Sequence, residues 1–386
     1  MANTKISRTF GTPTSTKTGT FSFWMKLSSS GNNGIINNYG DANNRAILYM
    51  ASEQLYFYDA AAGDNPYSTR ELRDFNSWYH IVLRIDTTAG QASNRVRIYI
   101  NGEQETLTNT AYNSNENSYM FNAGTPFAIG KDDSGSDYFN GSISHFHYCD
   151  GQSYAPTVFG ETDATTGEWK IKTSPSITMG NQGFTILKDG NTITDQSANS
   201  NNFSLSSGTL TKTEDNPSNV FATMNPLVGS NLLGSTVNFN SGNTDVKDPN
   251  GYASGINPQF ISTLAMPSKG KFYCEVQPLA FSTNSGHGIG IFRTSSGNTA
   301  DATNSNNLIR YIYADTSIYI TKYGSSIQTG LTAISANNIV GMALDLDNGT
   351  LQYYVNGVAR GSQITGVSSA NDGYDYFFHA NLESSS

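Results

Sequence analysis

Only two cysteines occur in 386 residues, Cys149 and Cys274, so a disulfide framework is excluded. Each sits in its own alternating apolar segment, "HFHYCDG" and "KFYCEVQ", and both read as small buried core residues rather than as a bridged pair. Charge is scarce as well: Asp, Glu, Lys and Arg make up 14% of the chain, against roughly 25% in ordinary soluble domains. The formal net charge is −9 and no Lys/Arg cluster reverses it locally. Nucleic acid and anionic membrane surfaces are therefore disfavoured as partners. No apolar run approaches the ~18 residues of a membrane span, and the opening "MANTKISRTFGTP" lacks the apolar core of a leader. Convincing helical periodicity is hard to find along the chain.

What is present is alternation. Aromatics reach 12%, and Ser, Thr, Asn and Gly fill the gaps, the profile of a β-rich protein with many turns. In "FSFWMKL" Phe21, Phe23, Met25 and Leu27 share one face. Tyr79, Ile81, Leu83 and Ile85 do so in "YHIVLRID", and Val96, Ile98 and Ile100 in "VRIYI". "AILYM", "QLYFYD", "PFAIG" and "GSISHFHYCDG" add short strands between polar loops, and strands at this spacing predict a sandwich. From residue 161 to 215 the patterning weakens and polar turn residues interrupt it, which predicts a connector carrying short strands. A second dense β-region follows. "KFYCEVQ" and "IVGMALDLDNGTLQYYVNG" place Phe272, Cys274 and Val276, then Val340, Met342, Leu344 and Leu346, then Leu351, Tyr353 and Val355 on common faces.

"VRIYINGEQ" and "LQYYVNGVA" use the same device: an alternating strand closed by Asn-Gly, whose positive φ angles suit a tight hairpin turn. Similarity does not extend beyond the hairpin, so the reading is two separate sandwiches rather than a sequence repeat. The fold class is all-β: two antiparallel β-sandwich (jelly-roll) domains at 1–160 and 216–386, joined by an extended connector at 161–215.

"GTFSFWMKLS", "SWYHIVLRIDTT…NRVRIYINGEQ" and "YFNGSISHFHYCDGQSYAPTVFGE" resemble the concanavalin A-like, laminin-G-type jelly roll. "GKFYCEVQ", "GHGIGIF" and "VGMALDLDNGTLQYYVNG" resemble a SPRY (B30.2-like) sandwich. With the stretch "FGETDATTGEW…GFTIL…ANSNNFS…DNPSNVFATMNPL" between them, the order resembles virion structural proteins of marine tailed bacteriophages. That resemblance implies a non-enzymatic virion surface protein, as capsid decoration, fibre or host-adhesion component. Its implied partners are other virion proteins and host surface glycans, and its implied assembly is a homo-oligomer or many symmetric copies. SPRY domains usually finish with another core strand near Asn-Phe-Gly, whereas this chain stops at "FFHANLESSS". Either the fold closes differently, or the chain is part of a longer one.

Catalytic motifs are wanting. Glycoside hydrolysis needs two carboxylates across the scissile bond, and Glu71 and Asp74 in "ELRDF" have the wrong spacing for one strand face. "GHGIG" is not followed by a helix that could receive an anion, and its glycines read as close strand packing. His145 and His147 alternate on a predicted strand and would need a third ligand such as His80 to hold zinc. Core or rim histidine is the default reading of all three.

No motif demands a cofactor. Calcium is the ion the loops would suit, with Asp41 in "YGDANN" and Asp132, Asp133 and Asp137 in "GKDDSGSDY" as candidate ligands. The same residues are natural turn formers. Glycan binding would use aromatic faces with nearby polar groups, and Tyr39, Tyr67, Tyr112, Tyr119 and Tyr138 are the loop tyrosines that could build such a patch. Trp24 and Trp78 occupy strand positions and read as packing residues. The alternatives to the virion reading are a secreted carbohydrate-binding lectin and a glycan depolymerase of the concanavalin A-like class.

Overall fold

The computed structural model describes residues 3–62, 65–75, 77–132, 137–188, 192–227, 237–247, 258–266, 269–281, 286–295, 305–314, 317–367 and 373–382. It is an all-β protein of several antiparallel sheets forming sandwich-like units. The chain divides into two compact units, Met1–Phe221 with Asn240–Gly242, and Ala222–Phe239 with Asn243–Ser386.

In the first unit an eight-stranded sheet runs in the order Leu107–Thr108, Tyr67–Ser68, Gln54–Asp59, Asn44–Ala51, Asn33–Asp41, Pro126–Ile129, Lys5–Thr9, Ser204–Ser207. A six-stranded sheet runs Phe184–Ile186, Gly141–Asp150, Thr18–Leu27, Tyr79–Asp86, Val96–Ile100, Glu103–Gln104. Their inner faces share one core. Ile6, Leu48, Phe57 and Phe127 of the larger sheet pack in the same cluster as Phe21, Leu83, Ile98 and Phe146 of the smaller. Strict alternation makes this possible, since every second residue must leave water together. The pattern is plainest in Gln54–Asp59, where Leu55, Phe57 and Asp59 are buried and the residues between them are half-exposed.

One irregularity shapes the core. In Gly141–Asp150 the register against Thr18–Leu27 shifts between Ser144 and His147, and His145 takes a positive φ of 49°. This bulge re-aims the strand, as bulges do, and Phe146 and Tyr148 both enter the core beyond it.

Residues 161–215, expected to bridge two sandwiches, are instead built into the first. Phe184–Ile186 pairs with the edge of Gly141–Asp150, and Ser204–Ser207 pairs with Lys5–Thr9. Between them Asp195 ties the loops: its carboxylate accepts from the backbone N–H groups of Thr185, Ser197 and Asn201 at 2.8–2.9 Å. Strands this short bury too few side chains to show a period, and only their pairing partners define them.

The second unit has a six-stranded sheet, Gln259–Ile261, Tyr374–Asn381, His287–Ser295, Leu308–Ala314, Tyr319–Lys322, Ser325–Gln328. It also has a four-stranded sheet, Lys271–Val276, Val340–Asp345, Thr350–Val355, Val358–Thr365. Ile289, Ile309 and Tyr311 of the first meet Met342, Leu351 and Tyr353 of the second in one core. Gly290 lets its strand close on Leu308–Ala314, since a Cβ there would run into the Ile309 carbonyl, in line with the packing reading of "GHGIG". Tyr374–Asn381 is not at an edge but lies between Gln259–Ile261 and His287–Ser295. Both Asn-Gly turns are as expected, with φ of 50° and 83° at Asn101 and Gly102, and 49° and 76° at Asn356 and Gly357. Cys149 is buried in the first unit and Cys274 half-buried in the second, and neither is bridged.

Candidate functional site

The outer face of the six-stranded sheet is occupied by the protein's own chain. Trp24 stacks on His80 with ring centroids 4.9 Å apart, and the Trp169 ring lies near-parallel to His80 at 5.9 Å. The ring of Trp169 lies against Gly102 and Gly160, where any side chain would collide with it. Its indole N–H donates to His80 Nδ1 at 3.0 Å. Because indole is only a donor, His80 carries its proton on Nε2 and donates it to Ser22 Oγ at 2.9 Å. Burial, with His147 nearby, pushes the His80 pKa down to about 3. His147 is likewise lowered to about 3, by burial first and then by His145, and its Nδ1 is bonded to Thr185 Oγ1 at 2.9 Å. His145 is spent on Ser144 at 2.8 Å. These histidines are structural, and among the described residues no three His, Cys, Asp or Glu side chains converge as metal ligands.

Farther along the same face Lys26 and Asp215 form a buried ion pair at 2.9 Å. The Trp78 indole donates to the same carboxylate at 3.2 Å, and Asp215 accepts from the Phe221 N–H at 2.9 Å. Trp24 is buried on its strand, and Trp78, one residue before the strand Tyr79–Asp86, is buried beside Asp215.

The outer face of the eight-stranded sheet is different. "NRAILYMA" and "QLYFYD" turn back at Ser52 and Glu53, both at positive φ. Residues opposite the core set then line up across strands: Tyr49 beside Tyr56, Tyr56 beside Tyr67, and Ile47 beside Tyr58. Tyr49 and Tyr56 stack at 5.3 Å and 23°, and Tyr56 and Tyr67 at 4.8 Å and 15°. The Arg45 guanidinium lies 4.9 Å over the Tyr58 ring, and Tyr39 pairs with Arg45 across the next strand boundary. All five tyrosines are half-buried. Rings stacked on one another cover part of each other's faces, so edges and hydroxyls make up much of what the stack presents. Chemically this is a ribbed surface of aromatic C–H and phenol groups with one guanidinium.

Of the five tyrosines expected in a glycan patch, the structure brings Tyr39 and Tyr67 to this face. Tyr112 is a correction: it is 1% exposed, with its hydroxyl donating to Asp59 at 2.7 Å, and offers no ring face to a ligand. Tyr119 follows Ser118, the cap of a short 3₁₀ turn, and packs against the core. Tyr138 stands at the base of a separate loop under the Lys131 ammonium, 5.4 Å away. Tyr49, Tyr56, Tyr58 and Arg45 were not singled out from the sequence. Alternation in "LYFYD" was the available signal, because residues that are not core on a strand must share the other face.

The calcium candidates fit poorly. Asp41 accepts from the Asn43 N–H, the Asn44 N–H and the Asn44 amide at 2.8, 3.1 and 2.6 Å, and those bonds hold its carboxyl below the usual range. It is closing its own turn. The Asp132 N–H donates to the Asp137 carbonyl at 3.0 Å, and Asn37 donates to the carbonyls of Lys131 and Asp132, so these bonds tie Asp132 to Asp137 and to Asn37. Asp133 lies outside the described residues.

Residues 3–158 match the family model described as the concanavalin A-like lectin/glucanases superfamily. No curated protein matches the sequence. Among solved structures there is distant likeness to a native heptameric SAP-like pentraxin from Limulus polyphemus. It is 17% identical and covers 39% of this chain and 71% of that one, with a TM-score of 0.31. The SPRY domain of human HERC1 is 16% identical, covering 35% of this chain and 79% of that one, with a TM-score of 0.29. Mouse laminin alpha1 chain, domains LG4-5, is 9% identical, covering 97% and 78%, with a TM-score of 0.32.

Proposed function

We propose that this chain is a non-enzymatic, lectin-like carbohydrate-binding protein whose binding surface is the tyrosine face of the eight-stranded sheet. The observation that carries this reading is the set of five half-exposed tyrosines, with Arg45 among them, on one rigid sheet face. Aromatic C–H and ring surfaces suit the apolar sides of sugar rings, and phenol, amide and guanidinium groups suit their hydroxyls. The family model over residues 3–158, whose description names lectins and glucanases, supports carbohydrate as the ligand class. Co-sedimentation of the chain with insoluble polysaccharides, followed by glycan-array screening, tests it. Tyr56→Ala, at the centre of the stack, is expected to weaken retention at least tenfold while the protein stays folded; unchanged retention would refute the assignment of this face. Release of reducing ends from any bound polysaccharide would refute the non-enzymatic part.

The order of the two β-regions and the stretch between them supports a setting on the surface of a tailed-phage virion, where such a face would meet host glycans. Mass spectrometry of purified particles is expected to find the chain in many copies, and its absence would leave a secreted lectin in that reading's place.

A further inference from the structure

We infer that a second, separate site in the first unit takes a single uncharged sugar residue. It is a cavity of about 370 Å³, within the range of small-molecule sites and equal to about a dozen waters at ~30 Å³ each. Its floor is apolar, with Ile6 and Ile129 buried beneath it and Ile143 and Leu187 beside them. Its rim is hydroxyl-rich, carrying Ser142, Tyr138 and the exposed Thr209 and Thr211. An apolar floor under a ring of hydroxyls matches a pyranose, which has C–H groups on its faces and hydroxyls around its edge.

Charge argues for a neutral ligand. The acid in the wall, Asp215, is already satisfied by Lys26 and Trp78, so it presents no bare carboxylate. Lys188, Lys212 and Glu214 all line the cavity, with Lys212 3.8 Å from Glu214, so a charged ligand of either sign would meet a like charge in the wall. A wholly apolar ligand would displace water from the rim hydroxyls without replacing its hydrogen bonds, which costs free energy.

The cavity is also not a property of the matched sandwich alone. The family match ends at residue 158, whereas Leu187, Lys188 and Thr209–Asp215 supply one wall. That wall is held where it is by the buried Lys26–Asp215 pair.

This site shares the carbohydrate reading above but does not depend on the tyrosine face, and one experiment separates the two. Calorimetric titration of the full chain with glucose, galactose, mannose and N-acetylglucosamine is expected to find at least one that binds at least tenfold more tightly than glucuronic acid. Binding should quench or shift tryptophan emission, because Trp78 lines the cavity. Thr211→Trp, a change at an exposed rim position, is expected to reduce sugar binding at least tenfold without moving the melting temperature, and Tyr56→Ala is expected to leave it unchanged. A trisaccharide of the preferred sugar that competes for the pocket marks a glycan chain end as the source; one that does not compete marks the free sugar. Failure of all four neutral sugars to bind, equal binding of the uronic acid, or full binding by Thr211→Trp overturns the inference. If hexose binding fails while Tyr56→Ala still abolishes polysaccharide retention, the cavity falls and the tyrosine face stands.

Discussion

The two outer faces of the first sandwich are both rich in aromatic residues and meet opposite fates. On the six-stranded sheet, Trp24, His80 and Val82 are sealed: Trp169 stacks on His80, Phe159 packs with Val82, and Asp215 pins the chain nearby. On the eight-stranded sheet, Tyr39, Tyr49, Tyr56, Tyr58 and Tyr67 remain half-exposed. Aromatic content is thus a poor guide to function by itself. The deciding event is whether later chain returns over the face, and residue chemistry follows from that. The sealed face can hold the Trp169 indole and the neutral His80 imidazole because their N–H groups find protein partners, while tyrosine tolerates the open face because its hydroxyl can bond water or a ligand.

Acid should break the contrast most severely. His80 and His147 titrate near 3 in the folded protein, below the ~6.5 of an unperturbed histidine. The unfolded chain therefore takes up protons first as pH falls. The stability tied to their neutrality is intact above about pH 6.5 and is lost progressively towards pH 3. For two such groups the loss is about 5 kcal/mol between pH 6.5 and 4.5. Urea unfolding across that range is expected to show the fall, with a shallower slope in His80→Gln and His147→Gln; a flat profile in the parent protein would show that the sealed face opens without unfolding.

Next in size is the clasp. Asp215→Ala removes the carboxylate from a buried ammonium and from the Trp78 indole, and about 3–5 kcal/mol of stability should go with it. Replacing the pair together, as Lys26→Met with Asp215→Leu, should restore most of that, and equal damage in both variants would mean the pair's partners matter more than its charge. The same measurements on the open face should give the smallest effect. Tyr56→Ala loses two stacked cross-strand neighbours at 0.2–1 kcal/mol each, or about 1 kcal/mol in all. Its consequence should appear in polysaccharide retention rather than in the unfolding midpoint, and a loss as large as that of the clasp would make the ladder a structural element first.

Much of this architecture could be read before any coordinates. Alternation in "FSFWMKL", "YHIVLRID" and "VGMALDLD" located core strands, and the Asn-Gly pairs located hairpins, because a pleated backbone and a left-handed turn are local requirements. Most of the candidate face was less visible. Tyr39 and Tyr67 were singled out as loop residues and prove to flank Tyr49, Tyr56 and Tyr58 on paired strands, while Tyr112, of the same type and in the same kind of context, is buried against Asp59. Exposure depends on what packs above a residue, and no local pattern encodes that.

Sequence alone was enough to determine an all-β chain, the positions of its longer strands and two tight turns, since each follows from periodicity or from the chemistry of a few adjacent residues. Tertiary structure alone decided that residues 161–215 join the first unit, that one aromatic face is sealed while its counterpart stays open, and that a cavity forms where the added wall meets the sandwich. Those outcomes rest on contacts between residues far apart in the chain, such as Lys26 with Asp215 and His80 with Trp169. The free energy of such contacts exists only once the sheets have brought the partners together.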